Sequence, residues 1–348
     1  MRNRRLLAVL CGAALFGGNH AIAQVAGQSD TPPTNLFMAA GPAGTVQYTF
    51  AAAVAKVVSD NGPSQLVVGP YGGSSTFLHA VGTGEVNFGI ATALDFAMVY
   101  RGPDKLKIGG RNPYPHAPDL RLVGSGADLT VGLLVTKASG IKTVHDLKGR
   151  KVAGEYPAHL GAYVNTYAQL RNANLSWSDV VVVPVPGLTQ GVEALNAGRV
   201  EVANIGVGAP QAREMDAKIG IRHVANDCSP AAMKRVTDEV PGYHFVTLKP
   251  GNTPGIPEEM CLTAWPVGIV TSVKQPNAAV TAVLKPLYEN AAKLGDIHPG
   301  LKVWTQQAFV RPDATVPYHP AAIAYYKSVG AWTPDMDAVQ EKLIALGK

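Results

Sequence analysis

Between residues 36 and 94 the chain repeats one unit: a short apolar run, a loop of small residues, and a stretch with apolar side chains at helical spacing. Residues 36–40 read as a strand and Gly41-Pro42-Ala43-Gly44 as a glycine loop. Val46, Phe50, Val54, Val57 and Val58 then recur on one helical face until Gly62. Residues 66–69 make a second strand, Tyr71-Gly72-Gly73-Ser74-Ser75 a loop whose serines suit a helix cap, and 86–90 a third strand, with 91–94 leading into another helix. Such alternation specifies an α/β fold with a mainly parallel sheet covered by helices on both faces. Loops leaving the carboxyl ends of its strands gather on one edge, where open α/β sheets bind ligands.

The series begins again after an apolar run at 131–135. A helical turn falls near 144–147, strands at 151–154, 179–186 and 200–207, and helices at 159–171 and 188–197, with Gly208-Ala209-Pro210 opening one more helix. Gly84-Glu85-Val86-Asn87-Phe88 and Gly198-Arg199-Val200-Glu201-Val202 hold the same place in the two series, each a helix-ending glycine before a strand. This echo predicts paired lobes. A Pro- and Gly-rich segment at 252–259 precedes the apolar stretch 262–273, which returns the chain to the first lobe, and helices around 278–294 and 321–329 complete it. The expected division is 31–135 with 265–348 as lobe 1 and 136–264 as lobe 2. That gives two mainly parallel sheets flanked by helices, with a hinge near 131–135 and 264–270.

Ahead of these units, Arg2, Arg4 and Arg5 precede an apolar run over 6–16 and the triplet Ala21-Ile22-Ala23. Residues 1–23 therefore read as a signal peptide cleaved near Ala23, which places the mature chain in the periplasm. The run is too short to span hydrocarbon, and Leu10 stands where a lipid-anchored Cys11 requires a small residue. Three positive charges leave with the signal, so the net charge of +5 falls to +2. No stripe of Lys and Arg with interleaved aromatics remains, and nucleic acid is not an expected partner. Cys228 and Cys261 either pair, closing a loop of about 34 residues, or lie as two buried thiols.

Enzyme signatures are missing: there is no Gly-x-Ser-x-Gly elbow, no P-loop, no His-Glu-x-x-His and no Cys-x-x-Cys. No metal or other cofactor is expected. What remains is a set of helix N-termini entered through small loops, where free N–H groups and the positive dipole end favour an anion. The candidates are Ala43, Gly44, Thr45, Gly73, Ser74, Ser75 and Thr92 from the first lobe. From the second they are residues 155–160, with Glu155, Tyr156, His159 and Leu160, followed by Gly187, Val207 and Gly208 at equivalent strand ends. Tyr48, Tyr71 and Tyr156 either wall the crevice or pack in the core.

These residues, in order, resemble the TAXI family of solute receptors that serve tripartite ATP-independent periplasmic (TRAP) transporters. Gly41 to Thr45 followed by Tyr48, then Gly72-Gly73-Ser74, then Gly84-Glu85-Val86, are similar to its first-lobe loops. Ser139-Gly140-Ile141-Lys142-Thr143-Val144-His145-Asp146-Leu147-Lys148-Gly149 is similar to its linker, and His298-Pro299 and His319-Pro320-Ala321-Ala322 to its closing helices. The resemblance implies a bilobal, type II-like periplasmic binding protein fold and a monomer. It also implies capture of a small organic anion, a carboxylate or amino acid, for delivery to the membrane permease subunits of a TRAP-type transporter. Two departures concern the ligand. The family's Ala-Gln-x-Asp reads here Ala91-Thr92-Ala93-Leu94-Asp95, and its second-lobe loop is replaced by Gly154-Glu155-Tyr156-Pro157-Ala158-His159-Leu160-Gly161, whose Glu155 and His159 either favour an amine or change the pH response, so the solute's identity does not carry over from the family. Two other readings stay open: an exported enzyme of the same fold using Ser74, His159 and Glu155, and a receptor that signals to a membrane sensor.

Overall fold

A computed structural model describes residues 31–348, so the signal segment 1–23 lies outside the described residues. The first series runs β1 (Asn35–Ala40), α1 (Val46–Asn61), β2 (Gln65–Pro70), α2 (Leu78–Thr83), β3 (Phe88–Thr92) and α3 (Ala93–Arg101). Helix α1 starts where Thr45 accepts the Tyr48 N–H and stops where the Gly62 N–H reaches Val58 O at 2.8 Å. Its buried face is Val46, Phe50, Val54, Val57 and Val58. β1 lies between β2 and β3, all three parallel, with Asn35 opposite Gln65 and Met38 opposite Phe88.

β4 (Leu120–Thr136) then leaves for the second series, and at 17 residues it is far longer than the run 131–135 suggested. The second series is β5 (Lys151–Glu155), α4 (Leu160–Asn172), β6 (Val181–Val185), α5 (Leu188–Asn196), β7 (Ala203–Gly206) and α6 (Pro210–Ile219). After it come β8 (Ile221–His223), α7 (Pro230–Thr237) and β9 (His244–Leu248). β10 (Met260–Ser272) carries the chain back to α8 (Asn277–Glu289), α9 (Ala292–Ile297), α10 (Pro320–Ser328) and α11 (Pro334–Gly347). The single helix read over 278–294 is two, because the α8 turn that holds Pro286 ends at Asn290, whose side chain and backbone N–H both bond Pro286 O.

The main sheet has the order β2-β1-β3-β10-β4-β7, with β8 on β4 and β9 on β10. β5 pairs parallel with β6, and a parallel bridge from Val152 to Val202 sets the pair beside the segment entering β7. The parallel blocks predicted from the two series are thus the two ends of one assembly. β10 and β4, antiparallel to each other, join them because one strand carries the chain out and the other back. Ladder irregularities fall at Pro266/Gly268 and Ile269/Val270, the first where Pro266 has no N–H to donate.

The echo between the series extends to individual hydrogen bonds. Gly84 N–H bonds Val81 O, and the N–H groups of Glu85 and Val86 both bond Ala80 O. Gly198 N–H bonds Leu195 O, and those of Arg199 and Val200 both bond Ala194 O. Both glycines have positive φ, 92° and 68°. Cys228 and Cys261 form a disulfide with Cα atoms 6.1 Å apart, tying the segment before α7 to the start of β10. No helix among the described residues is long and apolar enough to cross a membrane.

Candidate functional site

A small cavity of about 40 Å³ lies between the two series, where the carboxyl ends of β1, β3 and β7 meet β4 and β10. Its first-series wall is Thr45, Val46, Gln47, Thr92 and Asp95; its second-series wall is His159, Gly161, Ala162, Leu188, Asn204 and Gly206; Leu129, Val131 and Trp265 come from the crossing strands. Thr45 and His159 stand 114 positions apart and cap the equivalent helices α1 and α4. The repeat therefore presents one cap from each side of the cavity.

Each polar group is held by local structure. Thr45 Oγ1 accepts Tyr48 N–H at 3.2 Å and donates to Pro42 O at 2.7 Å. Gln47 donates its Nε2 to Ile90 O at 2.7 Å. A Cβ at Gly41 would stand 2.6 Å from Gln47 Oε1, so a side chain there would displace the Gln47 amide. Thr92 caps α3, accepting Asp95 N–H at 3.3 Å and donating to Asp95 Oδ2 at 2.8 Å. Asp95 is 2% exposed. Tyr114 Oη lies 2.6 Å from Asp95 Oδ1 and 2.8 Å from Ser74 Oγ. An ionised carboxylate only accepts, so Tyr114 donates to Asp95 and Ser74 donates to Tyr114. Burial, with the Asp95 charge adding to it, holds the Tyr114 hydroxyl well above the usual tyrosine pKa.

His159 Nδ1 accepts Ala162 N–H at 3.1 Å, which leaves Nε2 to carry the proton of the neutral ring. Burial lowers the His159 pKa, against a smaller opposing pull from Asp95. The N-termini of α1, α3 and α4 thus already give one N–H each to their own cap. α5 and α6 have no side-chain cap.

Four of the residues singled out in the sequence line the cavity: Thr45, Thr92, Asp95 and His159. Three more make the contact across the cleft. Leu160 N–H donates to Ser75 Oγ at 3.0 Å, and a Cβ on Gly73 would stand only 2.1 Å from Ala158 O. Ser74 reaches the cavity only through Tyr114. Ala43 and Gly44 are exposed, Tyr48 is half-buried, and Tyr71 leans on Phe77 at 5.5 Å. Gly187 and Val207–Gly208 stand just outside the wall, which their neighbours Leu188 and Gly206 form. Tyr156 is fully buried against Gly191.

Glu155 faces a separate groove with Arg111, at 2.7 Å, and this ion pair lowers its pKa. The Arg111 guanidinium also sits 4.5 Å from the Tyr163 ring centre, and Tyr163 Oη donates to Gly109 O at 3.2 Å. The loop after α3 therefore clasps the start of the second series from outside the cavity. Ser74, His159 and Glu155 occupy three separate contacts. Sequence reasoning missed Tyr114, Gln47, Asn204 and Trp265.

A model of the family described as NMT1-like matches residues 38–330. Among solved structures the chain is similar to the periplasmic binding protein BugD, at 11% identity and a TM-score of 0.54 over 90% of this chain and 97% of that one. It is also similar to a periplasmic transporter, at 15% and 0.53 over 89% and 96%. A third likeness is to an R. palustris protein solved with adipate, at 16% and 0.51 over 89% and 97%. No curated protein matches the chain. At these identities the likeness is one of fold, the type II periplasmic binding protein fold.

Proposed function

The chain belongs to the NMT1-like family, and from that premise we propose that it is an extracytoplasmic solute receptor. It captures a small organic carboxylate or amino acid between lobe 1 (31–135 with 265–348) and lobe 2 (136–264). It then delivers the solute to the membrane permease of a TRAP-type transporter. Residues 1–23 direct it to the periplasm, where it acts as a monomer without enzymatic turnover. Thr45, Thr92, Asp95 and His159 are the contacts we assign to the solute.

One observation carries this reading: a largely apolar cavity with a few polar side chains from each series sits between two equivalent helix caps, one on each side of a pair of crossing strands. Two strands are a hinge that leaves the lobes free to part, and a solute touching both lobes favours the closed form. The Ser75–Leu160 hydrogen bond and the Arg111–Glu155 ion pair are the contacts that closure forms.

Thermal-shift screening against carboxylates, amino acids and sugars tests the proposal. A true solute raises Tm in proportion to the logarithm of its concentration over Kd, and small-angle scattering reads the matching contraction. A bound solute that is chemically changed, with turnover lost in His159→Ala, overturns the receptor reading in favour of an exported enzyme. Partnership with a TRAP permease rather than a membrane sensor is tested by uptake in cells carrying the receptor with and without that permease.

A further inference from the structure

Resting on the receptor reading, we infer that the cavity is built around a positively charged nitrogen: its solute carries a protonated amine that docks on Asp95.

The wall's charges point one way. Its titratable side chains are Asp95 and His159, and no Lys or Arg lines it. Asp95 has no ion-pair partner among the described residues, although it is almost wholly buried. Two hydroxyls, from Thr92 and Tyr114, bond its oxygens, whereas a carboxylate accepts about four hydrogen bonds. His159 does not balance the charge, because its Nδ1 is held as an acceptor by the Ala162 N–H and burial keeps the ring neutral. A buried carboxylate without a cation is unfavourable, and a ligand that brings the cation relieves it.

The amides in the wall repeat the pattern. Gln47 gives its Nε2 to Ile90 O, and Asn204 gives its Nδ2 to Ala162 O at 3.2 Å and to Thr166 Oγ1 at 3.2 Å. The carbonyl partners accept only, so they fix which end of each amide is nitrogen. The acceptor ends, Gln47 Oε1 and Asn204 Oδ1, are what these residues retain. These two acceptors match a donor-rich head group, and an ammonium with three N–H donors is one; the His159 Nε2–H on the same wall is left to serve an oxygen of the solute.

Trp265 adds an aromatic surface, stacked at 4.4 Å on Tyr243, of the kind that attracts cations. At about 40 Å³ the closed cavity holds a head group of a few heavy atoms rather than a long dicarboxylate. This separates the two solute classes proposed above: amino acids or small amino alcohols are favoured, and plain carboxylates are disfavoured.

Matched pairs that differ only by the amine provide the test: L-alanine against propionate, L-glutamate against glutarate, and ethanolamine against ethylene glycol. Solutes released from the purified protein by denaturation and identified by mass join the panel. Titration calorimetry should show binding confined to amine-bearing members, and Asp95→Asn should weaken it by at least about 30-fold while the ligand-free melting curve keeps its shape. Equal or tighter binding of a deaminated partner, or unchanged affinity in Asp95→Asn, overturns the inference and leaves the receptor reading standing. If neither the panel nor the released fraction contains any binding solute, the receptor reading falls and takes this inference with it.

Discussion

Replacing Gly73 by alanine should hold the lobes apart. The backbone of Gly73 is extended, so the new side chain introduces no conformational strain of its own. Its methyl would, however, stand 2.1 Å from Ala158 O and 2.9 Å from His159 Cα, both backbone atoms of the opposite lobe that no rotamer change can move. Ordinary contact begins near 3.4 Å, so the lobes must separate there by more than 1 Å. That shift breaks the Ser75–Leu160 hydrogen bond, worth about 1 kcal/mol. The residual overpacking costs a further 1–3 kcal/mol or so. A penalty of roughly 2–4 kcal/mol on the closed form alone lowers solute affinity by about 30- to 1,000-fold, less whatever share an already closed ligand-free population absorbs. The folded lobes stay intact, so far-UV circular dichroism should be unchanged. Scattering should then report a larger radius of gyration that solute no longer reduces. Wild-type affinity in Gly73→Ala, with wild-type contraction on binding, would show that the cleft does not close through this contact.

The buried histidines, the outer ion pair and the disulfide each answer to a simple perturbation. Burial lowers His223 and His319 to about 4; the unfolded chain, with histidine near 6.5, binds more protons between those values. Stability is therefore complete above pH 6.5 and falls as pH drops towards 4, by about 3 kcal/mol for the fully buried His223, and a urea midpoint unchanged between pH 7 and 4.5 would contradict this. Arg111→Ala removes an exposed ion pair and a cation–π contact, each worth about 1 kcal/mol or less. Bound solute should leave roughly 5- to 20-fold faster by stopped-flow fluorescence, and an unchanged off-rate would mean the outer clasp does not restrain opening. Reducing the Cys228–Cys261 bond, which spans 33 positions, should cost about 4 kcal/mol in the chain-entropy treatment; a urea midpoint insensitive to reductant would contradict it.

The elements that periodicity made legible are those whose buried face is local. α1 shows its apolar stripe, β3 is buried throughout, and the glycine-to-strand echo reappears bond for bond. The first half of β4 was illegible because Gly124 and Gly126 look like turn residues. They are glycine for a different reason: a Cβ on Gly126 would strike the Trp304 indole at 2.2 Å and one on Gly124 would meet Phe309 at 2.7 Å. Those aromatic neighbours lie some 180 positions downstream, beyond any local window. The small-residue loops mark Thr45, Thr92 and His159 as helix-start residues but not as caps, and the cap expected of Ser74 and Ser75 does not form, since α2 begins after Phe77 without a side-chain cap. Tyr114 was not, since a tyrosine between Pro113 and Pro115 acquires its role only when the loop folds over Ser74 and Asp95. Trp265 and Asn204 sat inside apolar strands and passed for ordinary core.

The two crossing strands also set the order in which the molecule can assemble. β3 pairs with β10, and Thr92 meets Val267 across 175 positions of chain. A polypeptide emerging N-terminus first, from a ribosome or through a membrane, therefore displays an open strand edge at β3 until residues 260–272 follow. β4 needs the same partner along most of its length. Neither series can complete its pairing before β10 arrives, so the last step of assembly waits on long-range strand pairing, which is slow. A nascent chain halted short of β10 has two half-built sheets, each exposing an edge that invites aggregation.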